Sequence, residues 1–105
     1  MGHMHLVQLL LPLYDNAGQR FDETPFAAVR QELTQRFGGV TAYMRSPATG
    51  LWKKDTGTVD RDEVVTVEVM VEQLDHGWWR EYCRQLARSF RQESLVVRAI
   101  PIETL

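Results

Sequence analysis

Tyr43, Arg45, Glu68 and Arg98 are the side chains best placed to do chemistry together. They fall on three β-like runs, Tyr43 and Arg45 at alternate positions of one, so strand pairing can bring them to one face. A carboxylate set among guanidiniums and a phenol can act in two ways. It can form a satisfied ionic centre that fixes the geometry of an interface. It can also supply the few convergent polar groups of an otherwise apolar ligand cavity. Met70 and Trp52 complete the candidate set, Met70 as apolar lining and Trp52 as an aromatic anchor for a partner.

The remaining reactive residue types read as structural. His76 precedes Gly77-Trp78-Trp79 at the start of a helical pattern, where a helix N-terminus favours the neutral imidazole, but the sequence offers it no partner. Asp55, Asp60, Asp62 and Glu63 form an acidic stretch without a calcium-loop pattern, and read as a solvated strand entrance. Cys83 falls on the expected buried stripe of its helix and reads as an inert small hydrophobe, with Trp78 and Tyr82 on the flank. No phosphate-binding glycine loop, serine elbow, paired cysteines or histidine-glutamate zinc pattern occurs. The sequence therefore implies no cofactor and no metal site.

The apolar patterns that must position these groups run strand, helix, strand, strand, helix, strand. The first strand spans about His5 to Leu13 and ends in the turn formers Tyr14-Asp15-Asn16-Ala17-Gly18. Helix one opens at Thr24 as N-cap with Pro25 behind it, carries Phe26, Val29, Leu33 and Phe37 on one face, and stops at Gly38-Gly39. Val40 to Arg45 is the second strand and Val64 to Glu72 the third, with Val65, Val67, Val69 and Val71 on one side. Asp75 caps helix two, whose buried stripe is Trp79, Cys83, Leu86 and Phe90; the last strand runs from Leu95 to near Ile102. This order predicts an α+β, ferredoxin-like βαββαβ sandwich, a four-stranded antiparallel sheet with two helices on one face. Between the inner strands, residues 46–61 read as a projecting β-arm, Leu51-Trp52-Lys53-Lys54 pairing with Thr58-Val59 across Asp55-Thr56-Gly57.

With Val7, Leu9 and Leu11 turned to the helices, the opposite sheet face presents Leu6, Gln8, Leu10, Thr41, Tyr43, Arg45, Val64, Thr66, Glu68, Met70, Val96, Arg98 and Ile100. A solvated antiparallel face should be polar. This one is largely apolar, so a cover is expected, with Glu68 central, Gln8 and Arg45 on the flanking strands and Arg98 beyond. A homodimer through this face is one reading, a small-molecule cavity beneath it another, and an exposed patch the third.

At 105 residues the chain makes a single domain, with 1–3 (Met1-Gly2-His3) resembling a cloning remnant. Burial of roughly two thirds of the unfolded surface suffices at this size without disulfides or metal. A net charge of −2 argues against a nucleic-acid partner. The single cysteine is compatible with a reducing compartment, and the shortness of apolar runs such as Leu9 to Leu11 argues against a membrane helix and for a cytoplasmic protein.

The run Arg36-Phe37-Gly38-Gly39-Val40-Thr41, with Gly50-Leu51-Trp52, Trp78-Trp79 and Phe90-Arg91-Gln92-Glu93-Ser94, resembles a group of short uncharacterised bacterial ferredoxin-like proteins. The pattern is also similar at fold level to the dimeric α/β barrel superfamily, where two such sheets enclose a cavity. Those resemblances imply a ferredoxin-like fold. They leave two function classes: a non-catalytic module that binds a small ligand or protein as a homodimer, or a small cofactor-independent enzyme, oxygenase- or isomerase-like, working on the open sheet face.

Overall fold

Strand β1 (Gly2–Pro12) alternates strictly, with Val7, Leu9 and Leu11 buried on one side and Leu6, Gln8 and Leu10 on the other. The computed structural model describes residues 2–45, 51–53, 59–61 and 64–105, and the side chains of these except at 42–45, 51–53 and 59–61. The remaining elements are α1 (Thr24–Phe37), β2 (Thr41–Arg45), β3 (Leu51–Lys53), β4 (Val59–Arg61), β5 (Val64–Val71), α2 (His76–Ser89) and β6 (Val96–Thr104). One antiparallel sheet runs in the order β2-β5-β1-β6, and β3 pairs β4 in a separate two-stranded sheet. The chain is therefore α+β. No described helix is long and apolar enough to cross a membrane.

Both helices are fastened by local chemistry. The Asp75 carboxylate accepts the Trp78 N–H at 3.0 Å and caps α2, as its position before the apolar stripe predicts. At α1 the N-cap is Glu23, not Thr24, and its side chain makes no capping bond. Asp22 instead accepts the Thr24 N–H at 2.9 Å, which places Thr24 inside the first turn beside Pro25. Gly38 closes α1 with φ +84°, donating its N–H to the Thr34 carbonyl at 2.8 Å; a side chain would be strained there.

The core lies between the helices and one sheet face: Val7, Leu9, Leu11, Val67, Val69 and Val71 meet Phe26, Val29, Leu33, Trp79, Tyr82, Leu86 and Phe90. Phe90 is fully enclosed, with the Phe21 and Phe26 rings edge-on at 5.3 and 5.2 Å. The stripe of α2 differs from expectation. Tyr82 is buried, whereas Cys83 is only half-buried. Positions 82 and 83 both satisfy helical spacing from Trp79 and Leu86, and the helix turns Tyr82 inward because Cys83 faces the thinly covered side over β6. There Val97 is half-buried and Ala99 exposed, although both sit on the helix-facing side.

Strand β1 also begins earlier than its apolar pattern suggests. Gly2 and His3 belong to it, in register with Thr104 and Glu103. Because β5 ends opposite His5, residues 2–4 pair with β6 alone. In the small sheet Leu51↔Arg61, Trp52↔Asp60 and Lys53↔Val59 are partners. Val59 is thus a strand partner, while the expected Thr58 and the turn at 55–57 lie outside the described residues.

Candidate functional site

The centre of the open face is built by register. Gln8 stands opposite Glu68 on β5 and opposite Arg98 on β6, so one transverse row crosses three strands. The Gln8 amide nitrogen donates to Glu68 Oε2 at 2.6 Å, and Arg98 Nε donates to Gln8 Oε1 at 2.8 Å. The chemistry dictates the amide's orientation: a guanidinium only donates and an ionised carboxylate only accepts. Gln8, 8% exposed, is therefore an oriented link between two opposite charges that do not touch each other. Glu68 is half-buried and Arg98 exposed, so both heads reach solvent.

Around this row the face is apolar. Leu6 and Leu10 are half-buried; Met70, Val96 and Ile100 are exposed, Met70 and Val96 by more than half. Beside the row lies Thr66, in register with Leu10 and Tyr43, 2% exposed, its hydroxyl without a hydrogen-bond partner among the described residues. A buried orphan hydroxyl two residues from a carboxylate is a polar contact left open. A carboxylate and a guanidinium held apart on an apolar surface suit a small molecule that carries both charges and an apolar body. The carboxylate is also a base with a fixed direction of approach.

Of the sequence-derived candidates, Glu68 and Arg98 are joined through Gln8, and Met70 lies on the same face. The backbone of Tyr43 pairs with Thr66 and that of Arg45 with Val64, which sets both on the strand beside β5. Trp52 lies in β3 opposite Asp60. The side chains of Tyr43, Arg45 and Trp52 are outside the described residues, as are Asp55, Asp62 and Glu63. Among the described residues no group of three or more His, Cys, Asp or Glu converges as metal ligands. His76 is exposed at the first turn of α2 and borders a groove of about 390 Å³ lined by Trp79, Cys83 and Val97. Burial pushes the Cys83 thiol above its ordinary range, which suppresses the reactive thiolate. Trp78 lines no cavity among those described. It stacks on Tyr82 at 4.9 Å, meets Phe37 edge-on at 5.4 Å and carries the Arg36 guanidinium 4.2 Å above its ring, which clamps α1 to α2.

Reasoning from sequence placed Gln8 beside Glu68 but gave it no role; the strand register is the signal that assigns one. Thr66 falls on the expected face, but a threonine on a strand is unremarkable until its hydroxyl is seen to be enclosed.

No family model matches the chain, and no curated protein matches it. Among solved structures, a phage SAM lyase in complex with S-methyl-5'-thioadenosine superposes with a TM-score of 0.57. The alignment covers 99% of this chain and 92% of that one at 14% identity, a likeness of fold.

Proposed function

We propose that this protein is a small enzyme with a ferredoxin-like scaffold, acting on a sulfonium-bearing small molecule at the open sheet face. The observation that carries the reading is the whole-length likeness to a SAM lyase. The Arg98–Gln8–Glu68 row and its apolar surround support it. Elimination from a sulfonium needs a base for one carbon-bound proton and a surface that accepts an uncharged product. Glu68 takes the proton; the C–H electrons form the new double bond, and the C–S bond breaks with its pair passing to sulfur. The product leaves as a neutral thioether. Gln8 holds the carboxylate in place from the β1 side, and Arg98 binds the substrate's own carboxylate. A second copy of the chain covers Met70, Val96 and Ile100 and excludes water from the site.

The test is incubation of the purified protein with S-adenosylmethionine, following S-methyl-5'-thioadenosine by liquid chromatography against a protein-free control. Release above the control is expected, falling about 100-fold or more in Glu68→Gln, in keeping with loss of a general base. Release no faster than the control, or Glu68→Gln as active as the parent, overturns the reading. The exposed apolar rim favours a second reading, a non-catalytic homodimeric interaction module. That reading predicts a dimer without turnover.

A further inference from the structure

The helical layer carries a concavity of its own, on the side of the sheet away from Glu68. A cleft of about 650 Å³ opens between α1, α2 and the loop that joins β1 to α1, within the size range of small-molecule sites. Its apolar floor includes Phe21, Val29 and Leu86.

The loop wall is held by contacts of its own and with the end of α2. Asp15 Oδ1 accepts the N–H groups of Ala17 and Gln19, both at 2.9 Å, and Tyr14 bridges to Arg20. Asn16 donates to the Arg91 carbonyl at 3.3 Å, and Arg91 lies 3.4 Å from Asp15 Oδ2. These contacts tie the loop to the end of α2, so the cleft exists before anything enters it.

Several charged groups of the lining are left over, among them Asp22, which has no ion pair among the described residues. Arg20 and Glu32 form no ion pair among the described residues, with each other or with a neighbour. Tyr82 is only 7% exposed and lines the cleft. Burial, and then the nearby Glu32 carboxylate, keep that phenol protonated well above its ordinary range, so it remains a donor. Charged groups without an ion-pair partner among the described residues, beside a phenol at an apolar floor, leave the cleft polar contacts to offer a ligand.

We infer that this cleft is a second small-molecule site, for a zwitterion of amino-acid size with an apolar or aromatic side chain. Glu32 receives its ammonium end, Arg20 its carboxylate, and Phe21, Val29 and Leu86 its side chain. A simple anion would meet Glu32 and Asp22 unpaired, and a simple cation would meet Arg20 unpaired; a molecule carrying both charges answers both signs.

The probe is L-phenylalanine, titrated to about 20 mM into the ¹⁵N-labelled full chain with amide shifts recorded, a range that captures millimolar affinity. Saturable shifts are expected at Arg20, Phe21, Glu32 and Ser89. Phenethylamine and 3-phenylpropionate, each lacking one charge, should bind at least about tenfold more weakly, and Glu32→Gln and Arg20→Gln should each weaken L-phenylalanine about fivefold or more, consistent with loss of one charged contact. Both substitutions alter surface-reaching side chains, so the fold is checked by the unchanged spectrum elsewhere. Unmoved cleft amides, equal binding of either analogue, or shifts confined to the sheet face overturn the inference. Turnover at Glu68 is a separate readout and does not bear on this one.

Discussion

Replacing Gln8 tests the row on which the proposed chemistry depends. Gln8→Leu keeps the volume and removes both the bond from Arg98 and the bond to Glu68. Hydrogen bonds to charged groups contribute about 1.5–3 kcal/mol each. Glu68 and Arg98 both reach solvent, so water recovers much of that, and the expected loss is about 1–2 kcal/mol, or about 5–10 °C in Tm. Gln8→Glu is more diagnostic. It sets a second carboxylate where the amide now donates to Glu68 at 2.6 Å. Two charges at about 4 Å repel by about 4 kcal/mol at an effective dielectric near 20, and contact with Arg98 offsets part of this, leaving about 2 kcal/mol. The introduced carboxyl then holds its proton to higher pH in the folded protein than in the unfolded chain. Between those two values the folded state binds more protons, so stability falls as pH rises and is restored below them. Urea unfolding at pH 4.5 and pH 7.5 reads this directly. Gln8→Glu should lose about 2 kcal/mol relative to the parent at the higher pH and little at the lower, while the deficit of Gln8→Leu should be the same at both. A Gln8→Glu deficit independent of pH would refute the directed contact with Glu68.

Leu10 lies opposite Thr66 and Val96 on the open face, so Leu10→Arg should weaken a dimer formed there by about 100-fold or more, the consequence of an unpaired charge in a buried interface; sedimentation of parent and variant at equal concentration decides it, and an unchanged dimer removes that face as the contact. Tyr82 resists ionisation in the fold, so its contribution is fully present below the phenol's ordinary value of 10.0 and is lost as pH rises above it. Tyr82→Phe should therefore show a shallower alkaline loss of stability than the parent, by up to about 1.4 kcal/mol per pH unit, in denaturant titrations between pH 9 and 11.5.

The element order was legible because the two periodicities differ so clearly. Val7, Leu9 and Leu11 repeat every second residue, while Phe26, Val29 and Leu33 repeat at three and four. The ends were legible where chemistry marks them, as at Asp75 and Gly38. The exchange of Tyr82 for Cys83 was not, since both fit the same stripe and the choice depends on how far α2 lies over β6. The row through Gln8 needed a register, which no spacing along a single strand supplies. The interhelical cleft depends on a loop folded by Asp15 contacts and pinned to residue 91, a tertiary fact with no sequence pattern.

The pairing of β1 with β6 has a consequence for how the molecule is made. β1 is an inner strand, but it meets β6 across separations that reach 102 residues. During synthesis it emerges well before β6, and it must wait for the elements between them before its second neighbour arrives. For that interval a segment with leucines on both faces presents an open edge. Closing such a distant contact is slow, because chain entropy is surrendered before the ladder forms. Nascent chains stalled before β6 should thus be the aggregation-prone species and the natural clients of a ribosome-bound chaperone, whereas the finished ladder closes that side of β1.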